Sequence, residues 1–414
     1  MHARDIKKMM RKETSYLTSG WDGRDPHYLA ERMRAFLASW ASQHGRTIDE
    51  AMADKTIKEL CDDFRGYGPI QDLLEDPHVT EIMIIGPNKV FVERDGRKTS
   101  TDARFDDENH LQYAINKMIA PSGRRLNEAS PCADFSLGGR ARVNVTLPPL
   151  AADGISVTIR KMAHSIGALS DIVDLGTLDV RMANFLVGCL QGGINMLFSG
   201  ATGTGKTTSI NLLSAYIDEG ERIVTIEDTL ELALNQANLV RLLTRPPDAL
   251  GQGEIGLRYL LSNALRMRPS RIILGEIRGA EAMEYLQALN SGHKGTLAVL
   301  HAATPQDAVT RLETMALYAG LDLPSWAIRR QIASGLHLIV QHEQLMDGSR
   351  KITYITEVAG LRDNDIALQD IFRYEVEETG EDTRIKGRFV AVQPPSFLPH
   401  LRKLGIEMED ALFT

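Results

Sequence analysis

Eight consecutive residues, Gly200-Ala201-Thr202-Gly203-Thr204-Gly205-Lys206-Thr207, carry the strongest chemical signal in the chain. Glycines at these spacings let a backbone curl until its N–H groups point inward at an anion. A lysine in this place reaches the β- and γ-phosphates of a nucleotide, and the hydroxyl of the next residue, Thr207, is a ligand for Mg2+. Thr208 follows in the same turn. The pattern has this meaning only between a strand and a helix. Ile194–Ser199 reads as the strand, and Lys206 to Tyr216 as the helix, with Ile210, Leu213 and Ile217 on its apolar face. The amino end of that helix adds partial positive charge. ATP and Mg2+ are the cofactors that such a loop implies.

A phosphate cradle alone does not hydrolyse anything. Hydrolysis also needs a carboxylate near the metal and a group that orients the attacking water. Two acids end apolar runs: Arg222–Ile226 is followed by Glu227-Asp228, and Ile272-Ile273-Leu274-Gly275 by Glu276. Ligands of open α/β sheets bind at the carboxyl ends of the strands. Both acids therefore face the edge that carries the phosphate loop. His301 ends a further run, Thr296–Leu300, on the same edge, where it could hydrogen-bond a γ-phosphate.

The elements around these residues divide the chain. Its 414 residues are too many for one ordinary core, so two or three domains are expected. Residues 1–55 read as a short helical segment, with Leu29, Met33, Phe36, Leu37 and Trp40 as a stripe and Gly45 as a stop. Residues 56–160 read as a small α+β domain with an antiparallel sheet. Its strand candidates are Ile82–Ile85, Lys89–Glu93, Ala141–Leu147 and Gly154–Arg160, with a helix near 107–120 and Pro148-Pro149 in a loop. Residues 161–414 read as α/β, because their near-continuous apolar runs suit a parallel sheet buried on both faces. The acidic stretch 376–386 reads as an exposed loop.

Composition excludes several classes. Apolar residues make up 43% and charged residues 25%, as in a soluble globular chain. Lys plus Arg minus Asp plus Glu is 47 − 55 = −8, so no global basic field points to nucleic acid. Cys61, Cys132 and Cys189 form no C-x-x-C pair and read as buried thiols. The basic N-terminus lacks the apolar core of a secretory signal. Met182–Gly205 is free of charge, but a membrane helix needs ~20 predominantly apolar residues. Here Gly192-Gly193 breaks the run, and Met182, Phe185, Leu186, Cys189 and Leu190 mark one face of a soluble helix.

The order of the phosphate loop, TIED, RMRPSRIILGEIRG and GHKGTLAVLHA resembles the type II/type IV secretion ATPase superfamily. Within it, TIEDTLELALNQANLVRLLTRPP, RLETMALYAG, AIRRQIASGLHLIVQ and ITEVAG…LQDIFRYE resemble the CpaF-type ATPases of tight-adherence (Flp) pilus assembly. So do GYGPIQDLLEDPHVTEIMIIGP, GRRLNEASP and RVNVTLPPL upstream, so the likeness spans about residues 60–410. It implies a RecA-like P-loop ATPase domain with a parallel sheet, preceded by a PAS-like α+β domain. It implies a homo-hexamer in the cytoplasm, held at the inner membrane by pilus platform proteins rather than by a span of its own. Carried over by motif, Glu227 resembles the water-activating glutamate, and Glu276 the acid that holds the Mg2+ shell with Thr207. His293 and His301 resemble the two histidines of the fourth box. The loop supplies one lysine, so a second cation is expected among Arg140, Arg142, Arg160, Arg241 and Arg245, with Arg142 best placed. Ser270, Ala303 and Asn127 depart from the family's common Asp, Asn and Asp. The tetracysteine insertion of some relatives is absent. Two alternatives stand beside this reading: a type IV secretion traffic ATPase, and a nucleotide-gated scaffold with negligible turnover.

Overall fold

The computed structural model describes residues 25–413 except 95, 162–166, 248–250 and 380–384, together with 6, 7, 9, 10, 13, 17–19 and 21. The chain forms two compact units, Met1–Ala163 and His164–Thr414. The junction between them, residues 162–166, lies outside the described residues.

In the first unit, helix α1 (Pro26–Gln43) begins at Asp25, whose carboxylate accepts from the His27 N–H. Helix α2 (Glu50–Arg65) begins at Asp49, which accepts from Met52 in the same way. Leu29, Met33 and Leu37 pack with Ile57, Leu60 and Cys61. The boundary expected at residue 55 therefore falls inside α2, whose apolar face is needed to cover α1. The sheet has the order β3-β2-β1-β6-β5-β4, built from β1 (Val79–Ile85), β2 (Lys89–Arg94), β3 (Arg97–Ser100), β4 (Cys132–Leu137), β5 (Ala141–Thr146) and β6 (Ser156–Lys161). Every pairing in it is antiparallel. Helix α3 (Glu108–Ile119) buries Leu111, Ile115 and Met118 in this unit's core. Cys132 corrects the expectation of buried thiols: it is exposed, because β4 alternates and its first position faces outward.

The second unit is organised by a sheet of β7 (Met196–Gly200), β8 (Ile223–Glu227), β9 (Leu239–Leu243), β10 (Arg271–Ile277), β11 (Leu297–Leu300), β12 (Leu338–Gln344), β13 (Arg350–Arg362), β14 (Asp365–Thr379) and β15 (Ile385–Ala391). The order is β15-β14-β13-β12-β7-β11-β10-β8-β9. Pairings from β12 through β9 are parallel, whereas β12 to β15 pair antiparallel. The sheet is thus mixed rather than parallel throughout. Tight turns impose this: Arg362 pairs with Asp365 across Asp363 and Asn364, at φ 49° and 67°, and so short a connection joins only antiparallel strands. Of the stretch expected to be an exposed loop, 376–386, residues 376–379 end β14 and 385–386 begin β15, while 380–384 lie outside the described residues.

Strand β7 is buried at every position. Met196 and Phe198 pack into one core with Phe185 and Leu186 of α4 (Val180–Gln191), and Leu197 into another with Leu286 of α7 (Glu281–Asn290). The stretch from Met182 is a helix, a Gly-Gly turn and this strand. Among the described residues no helix is long and apolar enough to cross a membrane. Between α4 (from which it follows) and α7 in chain order lie α5 (Lys206–Ser214) and α6 (Leu257–Ala264).

Asn195, just before β7, ties three segments together. It is buried, its Nδ2 donates to the Gly335 carbonyl at 2.8 Å, and its Oδ1 accepts from the Thr296 N–H at 3.0 Å. Asn195→Ala orphans both buried backbone groups, so a loss of about 2–4 kcal/mol is expected. Urea unfolding measures it, and a midpoint equal to that of the unaltered chain would contradict the role.

Candidate functional site

The loop after β7 is shaped by what surrounds it. Gly200 has φ 147°, and a Cβ there would collide with the carbonyl of His342 and the hydroxyl of Thr204. Gly203 and Gly205 have φ 81° and 99°, which L side chains rarely adopt. Helix α5 starts at Lys206 with no side-chain cap, so its first N–H groups remain available to an anion. Lys206 is buried, and its ammonium lies over the loop, donating to Gly200 O at 2.9 Å and Ala201 O at 2.6 Å. Thr204 Oγ1 donates to Ala201 O at 2.9 Å. Ala201 and Thr202 are exposed; Thr207 and Thr208 are partly buried.

The strand order sets the acids beside this loop on one flank. From β7 it runs to β11, β10 and β8, whose carboxyl ends carry His301, Glu276 and Glu227. Glu227 is 3% exposed. Its Oε1 accepts from the N–H groups of Glu231 and Leu232, both at 2.8 Å, while its Oε2 has no partner. Burial pushes its pKa up to about 7 against the pull of those two hydrogen bonds. Gly275 makes room for it, since a Cβ there would stand 2.9 Å from Glu227 Cγ.

Glu276 has the opposite environment. Its Oε1 lies 3.2 Å from His301 Nε2, and its Oε2 accepts from Arg278 at 2.6 Å. Burial alone would raise it, but the hydrogen bonds and charges of His301 and Arg278 outweigh burial and bring it down to about 2. Arg278 also reaches Asp228 at 3.3 Å, and Asp228 accepts from Thr244 Oγ1 at 2.9 Å. The buried Glu281 holds the turn that carries Arg278, accepting from the N–H of Arg278 at 2.6 Å and of Gly279 at 2.9 Å. Arg278 was visible only as part of the GEIRG string, two residues past Glu276, and sequence reasoning gave it no role.

His293 is not brought to this edge, and the expected arginines have partners of their own. His293 precedes β11, and Gly295 N donates to Gly193 O ahead of β7 at 2.8 Å. With Leu297 beside Met196 in parallel register, His293 stands at the amino ends of the strands, away from the loop, where it contacts Ser291 Oγ at 3.0 Å. Arg142 belongs to the first unit and grips Asp134 with Nε at 3.1 Å and a terminal amine at 2.8 Å. Arg160 lies 3.7 Å from Glu81. Arg241 and Arg245 donate to the carbonyls of Leu234 and Gly253 at 3.3 Å and 2.7 Å.

One further buried group escaped the sequence reading. His342, opposite Gly200 on β12, has no partner at either ring nitrogen. Burial, reinforced by the charge of Lys206, lowers its pKa to about 3, so its ring is neutral.

The residues present fit a nucleoside phosphate with a divalent cation. The loop offers a glycine-shaped cradle and uncapped N–H groups. Glu276 is ionised and Thr207 carries a hydroxyl, which are oxygen donors of the type that Mg2+ takes. The unpartnered Glu227 Oε2 is a free proton acceptor in the same neighbourhood.

Comparison with known proteins places this arrangement. Residues 63–391 match the family model described as type II/IV secretion system protein. A putative conjugal transfer protein of Mycobacterium tuberculosis is 30% identical over 76% of this chain and 90% of its own length. The type IV secretion system protein VirB11 of Bartonella henselae is 32% identical over 69% of this chain and 90% of its own. Among solved structures, the pilus retraction motor PilT with bound ADP shares the fold, at TM-score 0.53 and 20% identity, over 71% of this chain and 83% of that one.

Proposed function

The chain belongs to the type II/IV secretion system protein family, and on that premise we propose that it is a Mg2+-dependent ATPase of the CpaF type, a homo-hexameric motor that powers Flp pilus assembly. It works at the cytoplasmic face of the inner membrane and acts through platform proteins there. The family-like parts are a PAS-like domain in the first unit and a RecA-like domain in the second. One observation carries the enzymatic reading: of two glutamates at neighbouring strand ends, Glu227 is buried with its Oε2 unpartnered, while Glu276 is paired with His301 and Arg278.

Bound Mg2+ would neutralise charge on the β- and γ-phosphates, with Thr207 and Glu276 as its holders. Gly200–Thr208 bind the phosphates through backbone N–H groups, and Lys206 turns from the loop carbonyls to them. Glu227 takes the proton of the attacking water at Oε2 while Oε1 stays anchored to the backbone. His301, on Glu276, stands where it can sense the γ-phosphate. His293, at the far strand end, drops out of the nucleotide-contacting set of its own chain.

A second reading has its own support. The conjugal transfer and VirB11 relatives fit a type IV secretion traffic ATPase. The ITEVAG and LQDIFRYE segments, which form parts of β13 and β14, favour the pilus branch. Removing the chain from its host should abolish Flp pili; intact pili with lost macromolecular export would favour the second reading.

Below about pH 7 Glu227 is protonated and cannot accept a proton, and above it the carboxylate is free to do so. The rate should therefore rise with pH through about 7 and then level. Glu227→Gln should lower kcat by about 10²-fold or more while nucleotide still binds. Steady-state ATPase assays across pH beside nucleotide titrations decide this. An unchanged kcat removes Glu227 from the role, and a trapped state seen only in Glu276→Gln reverses the two acids.

Phosphoryl transfer gains about 10³–10⁵-fold from a well-placed guanidinium. We assign that part to Arg142, which must then share or leave Asp134. Arg142→Ala should bind nucleotide and form rings yet lose most turnover. In mixtures with Glu227→Gln subunits, recovered activity shows action across subunits. Full activity of Arg142→Ala alone would overturn the assignment.

A further inference from the structure

Strand β12 lies beside β7 and outlasts it. His342 stands opposite Gly200, so Glu343 and Gln344 continue past the point where β7 becomes the phosphate loop. The chain turns and returns as β13, whose first residue, Arg350, faces Gln344. The turn is braced from within. Leu345 N donates to Ser349 O at 2.8 Å, and Gly348 N to Leu345 O at 2.9 Å. Asp347 accepts from Ser349 N at 2.9 Å and Ser349 Oγ at 2.7 Å through one oxygen, and from Ile385 N at 2.9 Å through the other.

This brace delivers a guanidinium to the loop. Arg350 Nε donates to Gly203 O at 2.8 Å. The side chain is exposed, and among the described residues its terminal amines meet no carboxylate and no other acceptor. The other arginines of the second unit near the site are engaged: Arg278 on Glu276 and Asp228, Arg241 and Arg245 on loop carbonyls. Arg350 is therefore a cation fixed at one nitrogen, with its paired donors still to be used. A guanidinium held in this way suits a phosphate oxygen, which it can bind without reorganising.

The strand order says which part of the ligand it serves. Glu227, Glu276 and His301 end β8, β10 and β11, on one side of β7, while Arg350 comes from the β12–β13 side. The two flanks of the loop are thus separated by β7 itself. A group on the second flank stands across β7 from the three side chains assigned to the reaction.

We propose that Arg350 is a nucleotide-binding residue on the non-reacting flank, fixing Gly203 through Nε and holding, through its terminal amines, a phosphate oxygen common to nucleoside di- and triphosphates. The inference rests on the reading of the loop as a nucleotide site. Such a contact is the same before and during phosphoryl transfer, so it stabilises ground and transition states alike.

The test uses the full chain, with Arg350→Ala and Arg350→Lys, and measures affinity for ADP and for a non-hydrolysable ATP analogue beside steady-state kinetics and thermal unfolding. Arg350→Ala should weaken both nucleotides by a similar factor, about tenfold or more. Its loss in kcat/KM should exceed its loss in kcat. Arg350→Lys, which keeps the charge without the fork, should fall between. The nucleotide-induced rise in melting temperature should shrink. Unchanged affinity for both nucleotides overturns the proposal, as does a loss confined to the ATP analogue or to kcat. A lower melting temperature of the free protein with the nucleotide-induced rise intact also overturns it, because that marks a brace and not a ligand contact. Should Arg350→Ala not fold, the Lys variant carries the same comparison. An unaltered chain that binds neither nucleotide would instead defeat the site reading beneath it.

Discussion

The second unit depends on one close approach, the carbonyl of His342 against Gly200. A strand buried on both faces must leave the sheet and at once present backbone N–H groups to an anion. With β12 packed directly beside it, no side chain fits at the turn. The same parallel register that forbids a Cβ there also fixes the neighbours of the loop. On one side it brings β11, β10 and β8 with their terminal histidine and glutamates. On the other it brings β12 and the hairpin that carries Arg350. The site is a consequence of strand order more than of any single side chain.

Within that frame, identical side chains acquire different chemistry. Glu227 and Glu276 are both strand-end glutamates, and both are largely buried. Glu227 has two backbone N–H groups on one oxygen and nothing on the other, and burial prevails, to about 7. Glu276 faces His301 and Arg278, and they prevail over burial, to about 2. A proton acceptor works best with a pKa near the working pH. A metal holder must stay ionised throughout. Environment thus suits the two glutamates to the two tasks proposed for them, and Arg278 belongs to that division because it neutralises Glu276 and ties it to Asp228.

Much of this was legible in the sequence, for identifiable reasons. Strands β7, β8, β10 and β11 are buried on both faces and read as apolar runs, and the functional groups follow directly where those runs stop. Strands β12 to β15 did not stand out, because their pairing depends on turns such as Asp363-Asn364. The helix α2 hid its extent by crossing a change in composition. His293 was carried to the site by its motif, but α7 returns the chain to the opposite strand ends before β11 begins. Arg350 left no signal at all: it is 147 residues from its loop partner, and only the register of β12 against β7 brings them together. Arg142 read as the expected second cation, whereas β5 places it across from Ser136 on β4, within reach of Asp134, which it grips.

The separation of the two glutamates can be measured without turnover. Infrared spectra of the carboxylate bands, taken across pH and subtracted between the unaltered chain and Glu227→Gln, isolate the ionisation of that one side chain. The difference band is expected to titrate near pH 7, with the matching Glu276→Gln difference remaining ionised down to the lowest pH at which the fold persists. A Glu227 band that titrates in the ordinary carboxylate range of about 4–5 would contradict it.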